Sequence, residues 1–189
     1  MNKEKLKQTI LKRIEEIQQG EKNSIVTFDT QTELIDGVKC KAKIRRFGID
    51  IDEPESLGGD NTAPNPVELV LAALGTCQEI IYSAYSAVLG IPVDSVKVDV
   101  IGTLDLKGFF GLDSDVNPGL QKVSYKTTIT SNAKDSEIRK LIEVVEKNCP
   151  VLDTLKRPIV VEGKIKTIIS TGNHLKPVET NKTNTVVQV

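Results

Sequence analysis

The sequence predicts an α+β fold in which antiparallel strands wrap around one long central helix. Strand-like runs come in neighbouring pairs, 24–34 with 38–51 and 96–106 with 123–130. A long, mostly apolar helical run within 62–92 lies between the pairs. The strict strand–helix alternation of a doubly wound sheet is missing.

The elements follow in order. Residues 3–18 put Leu6, Ile10, Ile14 and Ile17 on one stripe, the pattern of an amphipathic helix, and Gly20 ends it. Docking onto the body or a partner is the simplest use of that stripe. Between the first two strand runs, Asp36-Gly37 is a hairpin signal. In the second run Val38, Cys40, Ala42 and Ile44 alternate with Lys39, Lys41, Lys43 and Arg45, so the apolar set faces inward. Carrying that period onward turns Arg46 inward. Phe47, Ile49 and Ile51 then break the phase, which predicts a bulge near Arg45-Arg46. Residues 52–64 are turn-rich. Asn65 is a good N-cap, Pro66 suits the first helical position, and Glu68 stands three after the cap. The helix should run to about Leu89, with Gly90 and Pro92 as its stop. Apolar residues on nearly every face predict a helix enclosed by a sheet and a second subunit. A second helix is expected over 136–148, ended by Pro150, and a last strand over 159–166. Three segments result: a helix over 1–20, a body over 21–168, and a polar tail over 169–189.

Composition excludes several functions. A net charge of −1 gives no basic surface for nucleic acid or anionic membrane. The first twenty residues mix Lys and Glu and do not read as a signal peptide. Gly75, Gln78, Glu79 and several Ser and Thr interrupt the apolar runs, so no membrane span is expected. The expected compartment is the cytoplasm. Three cysteines do not make a disulfide framework, and the single histidine, His174, sits in the polar tail. Neither a metal site, nor a Cys-His dyad, nor a bound cofactor is expected. Gly58-Gly59 reads as a turn and not as a phosphate cradle.

Cys77 and Cys149 both fall on apolar helical surfaces, and core filler is the plain reading of both. Other features favour chemistry. Gly75 opens space two residues before Cys77. An inward Arg46 needs an anionic partner, and a thiolate would be one. Cys149, at a helix C-terminus, suits a resolving thiol better than an attacking one. That assigns Cys77 as nucleophile and Cys149 as its partner. Cys40, on a strand's apolar face, is read as core. Phe109 and Phe110 either line a substrate mouth or cover the core. Glu53, Tyr82 and Tyr85 read as loop-fixing or packing residues.

The run DEPESLGGDNTAPNPVELVLAALGTC over 52–77, with NCPV at 148–151, resembles the OsmC/Ohr family of thiol-dependent hydroperoxide reductases. The arrangement RF-x4-DEP is similar to its OsmC-like branch. The resemblance covers roughly residues 23–168. It implies an OsmC-like fold, an intertwined homodimer with both sites at the interface, and a two-cysteine peroxidase. Cys77 would attack the O–O bond of an organic or fatty-acid hydroperoxide. Its sulfenic acid would be captured by Cys149 as a disulfide, which an external thiol or dithiol would reduce. The family's thiolate-supporting arginine maps to Arg46. One departure stands out. Hydroperoxide-specialised members carry a glutamate directly after Asn-Pro, where this chain has Val67. Glu68 is one residue on, turned about 100° around the helix, and either still reaches Arg46 or serves only as a cap. Two other readings remain open: a non-catalytic dimer binding a small hydrophobic ligand in its interface, and a structural dimer whose thiols are core.

Overall fold

The computed structural model describes residues 3–171 and 174–180. The chain divides into two compact units, residues 1–153 and 154–189.

The first unit opens with helix α1 (Lys3–Gln18). A three-stranded antiparallel sheet follows, β1 (Gln31–Asp36), β2 (Lys39–Ile44) and β3 (Phe47–Ile51), in that spatial order. Residues 25–30, predicted as strand, lie outside it, and Ile25, Val26 and Phe28 are exposed. The β1–β2 turn sits one residue later than the dipeptide suggested, with Asp36 opposite Lys39 and Gly37 at φ +54°. The predicted bulge at Arg45-Arg46 is instead a tight hairpin turn. Ile44 pairs with Phe47, and Arg45 takes the left-handed conformation at φ 55°. The phase change in the sequence is therefore a strand ending and another beginning.

Helix α2 (Pro66–Leu89) has the caps its sequence announces. Asn65 Oδ1 accepts from Glu68 N at 2.9 Å, and Asn65 N donates to Glu68 Oε2 at 2.8 Å. Gly90 closes it in the left-handed region at φ 70°. By length and composition alone α2 is long and apolar enough to cross a bilayer, a test that a core helix also passes. Within the chain it is packed as a core helix, burying Leu74, Gly75, Gln78, Tyr82, Ser86 and Ala87. Its opposite face is not enclosed. Val70 and Ile80 are 40% and 66% exposed, on one stripe with Ala73 and Thr76.

β4 (Ser95–Leu104) and β5 (Leu120–Thr130) form a long antiparallel hairpin. Val96, Val98, Val100, Gly102 and Leu104 are half-buried while the residues between them are exposed, the alternation of a sheet covered on one side. Gly75 seats α2 on this sheet. A Cβ there would stand 3.3 Å from Val100 Cγ2 and 3.6 Å from the Val98 carbonyl. The glycine thus admits a strand and does not open space for a thiol. The hairpin loop holds one short turn, α3 (Leu106–Phe109). α4 (Asp135–Asn148) buries Leu141 and Val145 against Tyr82, Ile91 and Val93. α4 ends at Asn148, before Pro150 as predicted, but the proline does not stop helical structure. It begins α5 (Pro150–Lys156), which runs across the boundary between the two units.

The second unit carries a hairpin, β6 (Ile165–Thr171) with β7 (His174–Thr180). The strand predicted over 159–166 therefore starts six residues later, and the predicted polar tail contributes a strand. Residues 181–189 of that tail lie outside the described residues.

Candidate active site

The site begins with two helices that end and pass at the same place. α2 carries Cys77 half-buried in its middle. α4 ends at Cys149, its C-cap, where ψ turns to 109° and the thiol is fully buried. Leu74, Cys149 and Leu152 form a small core, with Cys77, Val100, Val123 and Tyr125 packed around it. There the Cys149 thiol donates to Cys77 Sγ, with the two sulfurs 3.5 Å apart. Both thiols are free.

Burial pushes the Cys149 thiol up, and the neighbouring Cys77 thiol pushes the same way. The backbone N–H groups of Leu152 and Val151 act against this. The sequence reading placed Cys149 only at a helix C-terminus. Because α5 starts immediately after, its first amides also face the sulfur.

The other predicted residues are not gathered at the thiols. Arg46 is exposed at the β2–β3 turn and does not point inward, because the turn ends the alternation that would have buried it. Its guanidinium lies 5.1 Å from the Phe47 ring centroid. No ion pair or hydrogen bond joins it to Cys77 or Glu68 among the described residues. A groove of about 590 Å³ crosses that sheet, lined by Arg46, Phe47, Lys41 and Lys43 but by neither thiol. Glu68 is held in the α2 capping box. Phe109 and Phe110 meet edge to face, 5.0 Å between centroids, and both are more than half exposed. They lie in the hairpin loop past Leu104, while the thiols are level with Val100. Cys40 is half-buried on β2.

The sequence reading missed Asp52. It is 1% exposed, and its carboxylate accepts from the backbone N–H of Glu53, Asp60 and Thr62 and from the Thr62 hydroxyl. These donors hold its pKa down to about 2. Glu53, the next residue, accepts from Asn65 Nδ2 at 3.4 Å. The DEP segment is thus the latch that fixes the start of α2. An aspartate ahead of a Gly-Gly-Asp-Asn-Thr run was the available signal, since such loops present several free amides to one carboxylate.

The sequence profile of the family described as OsmC-like protein matches residues 59–164, more than half of the chain and both thiols. The chain belongs to the OsmC-like family. A relative from Haloferax volcanii, an uncharacterized protein, is 27% identical over 131 residues, spanning 68% of this chain and 88% of its own. The OsmC-like protein of Mycoplasma pneumoniae superposes with a TM-score of 0.60 at 21% identity, over 69% of this chain and 88% of that one. An organic hydroperoxide resistance protein OsmC from Legionella pneumophila gives a TM-score of 0.53 at 19% identity, over 71% and 92%. An organic hydroperoxide resistance protein from Elizabethkingia anophelis gives 0.55 at 18%, over 71% and 91%. These structures share the OsmC-like fold with this chain. The OsmC-like region leaves α1 outside it.

Proposed function

We propose that this OsmC-like protein is a cysteine-based peroxidase that reduces organic hydroperoxides to alcohols. The observation that carries the reading is the 3.5 Å approach of Cys77 and Cys149, two thiols 72 residues apart in the chain. The Cys77 thiolate attacks the terminal oxygen of the hydroperoxide. The O–O bond breaks, the alkoxide leaves and takes a proton as the alcohol, and Cys77 becomes a sulfenic acid. Cys149 then attacks the Cys77 sulfur, the S–O bond breaks, and water departs with the thiol proton. An external thiol or dithiol restores both thiols. The half-buried sulfur of Cys77 suits the first step, and the buried thiol of Cys149, disfavoured as an anion, suits the second.

The working unit in this proposal is a homodimer. The open stripe of α2 through Val70 and Ile80 borders Cys77 and takes a second copy, whose β2–β3 turn brings Arg46 to the thiol. A guanidinium there holds the thiolate, as an isolated thiol in a helix interior has no other cation. A second reading, a dimer that binds a hydrophobic ligand without turnover, draws on one observation. Glu68 is committed to its cap and leaves Arg46 without the carboxylate that hydroperoxide-specialised members supply.

Peptide mapping by mass spectrometry separates the two. After brief exposure of the reduced protein to stoichiometric cumene hydroperoxide, a Cys77–Cys149 disulfide is expected, formed faster than with hydrogen peroxide. The Cys77→Ser variant should form none. Two unmodified thiols under that challenge would exclude the peroxidase and leave the ligand-binding dimer.

A further inference from the structure

The two sulfurs are joined by a hydrogen bond before any oxidant arrives. The Cys149 thiol donates to Cys77 Sγ across 3.5 Å. When two thiols meet in this way, the one that is cheaper to charge ionises first, and charge costs more the deeper it lies. Cys149 is 0% exposed at the end of α4, whereas Cys77 is half-buried in α2. The proton therefore stays on the deeper sulfur, and the shallower one becomes the anion. Burial pushes the Cys149 thiol up, and the neighbouring Cys77 adds to it.

The core around the pair offers Cys77 little else. Leu74, Val100, Val123, Val151 and Leu152 are apolar. Tyr125, which packs with them, turns its hydroxyl to Glu146 Oε1 at 3.2 Å. Of the carboxylates on α2, Glu68 is held at its cap and Glu79 accepts from Val98 N at 3.1 Å. Every charged side chain of β4, β5, α4 and α5 is exposed. The Cys149 thiol is thus the polar hydrogen that this core directs at Cys77. A hydrogen bond to an anion is roughly twice as strong as one between neutral groups. The contact is therefore worth more to an ionised partner than to a neutral one.

We propose that Cys149 acts before it resolves anything: its thiol is the hydrogen-bond donor that holds Cys77 as a thiolate, so that the reduced chain carries an activated pair. No covalent bond changes in this step, and the proton remains on Cys149. This activation is supplied within one chain and adds to any guanidinium from a second copy. The inference rests on the peroxidase reading only for its purpose, since a thiolate held this way reacts with other electrophiles too.

The test uses an electrophile that is not a peroxide. The reduced full chain is alkylated with iodoacetamide from about pH 4 to about pH 10, and modification of Cys77 is counted by peptide mass, apart from Cys40 and Cys149. The rate follows the thiolate. Cys149→Ala removes the donor. On the acid side of the profile its Cys77 rate should fall roughly three- to tenfold, the range of one hydrogen bond. The two profiles should meet at the alkaline end, where Cys77 is an anion in both. Cys149→Ser keeps a hydroxyl donor and should recover most of the loss. Leu152→Ala opens the same core but leaves the donor in place, so it should not slow the reaction. Circular dichroism of the reduced proteins checks that each variant folds. Acid-side rates within twofold of the parent for Cys149→Ala would overturn the activated pair. So would an equal loss in Leu152→Ala, or a loss in Cys149→Ala that persists undiminished at the alkaline end, since either would mark a packing effect. The expected slowing, in a chain whose parent forms no Cys77–Cys149 disulfide with cumene hydroperoxide, would sink the peroxidase alone and leave the activated pair standing.

Discussion

The Asp52 carboxylate is the most heavily bonded side chain near the start of α2, with four donors on its two oxygens. Those bonds exist for the ionised form, which is why its pKa falls from 3.8 to about 2. The linkage has a definite sign. A carboxyl that ionises lower in the folded chain than in the unfolded one contributes its full stability above about pH 4. That contribution is lost as pH falls through 2. Asp52→Asn should therefore be less stable than the parent at neutral pH in urea unfolding, and the gap should narrow steadily below pH 4. A constant gap down to pH 2 would contradict the latch. Gly59 belongs to the same device. A Cβ there would stand 1.9 Å from the Glu53 carbonyl oxygen, so the loop can be drawn tight only with glycine. None of this could be read from period or propensity, because Asp52 is buried by loop residues as many as ten positions away. The thiols were legible for the opposite reason. Each lies on a helix whose apolar face the sequence states openly, and each is partly or fully buried as expected. Their 3.5 Å separation was not legible, since no single sequence fixes the distance between α2 and α4.

Among the elements, α2 was predicted to the residue because all its signals are local: Asn65, Pro66, Glu68 and Gly90 each act within one turn. The reciprocal bonds between Asn65 and Glu68 hold the Glu68 carboxylate at the cap in this chain. Asn65→Ala should cost about 1 kcal/mol, within the usual 0.5–2 kcal/mol of a lost N-cap, measured by thermal or urea unfolding. A loss well below 0.5 kcal/mol would show that loop 52–64 holds the helix start without the cap. The misread elements have separate causes. At Arg45-Arg46 a tight hairpin turn has no glycine to mark it, so its change of phase reads as a bulge within one strand. At Pro150 the usual helix stop coincides with the first residue of the next helix, where proline is equally at home. β6 and β7 were obscured because β7 is built from polar residues of an apparent tail.

At the scale of the whole molecule, the described chain presents apolar surface that an isolated domain would be expected to cover. Ile80 is 66% exposed at the middle of α2, one turn from Cys77, and Val70 continues its stripe. Contiguous apolar surface on a core helix marks an interaction site. Light scattering after size exclusion should give twice the mass of 20.7 kDa for the parent chain. Ile80→Glu should shift it toward the monomer and, if Arg46 arrives from the second copy, slow the reaction of Cys77 with cumene hydroperoxide at least tenfold. A monomeric parent with full reactivity would remove the dimer from the mechanism. The antiparallel α+β plan was visible in the order of strand pairs and helices. The enclosure predicted for α2 was only half met within one chain, because a sequence records that a face is apolar and not which molecule covers it.

In the proposed peroxidase cycle, the unequal burial of the two thiols would set a direction for the return half. Cys149 is fully enclosed and Cys77 is not. If they are joined, an incoming thiolate meets one sulfur and is barred from the other. The mixed disulfide must therefore form on Cys77, with Cys149 as the leaving group. Burial makes that leaving group a poor one, so a monothiol would be held at the halfway stage and expelled by Cys149 as readily as it arrived. A dithiol, able to close on itself at once, escapes that reversal. In the proposed cycle the deeper burial of Cys149 would thus act as a filter on the electron donor.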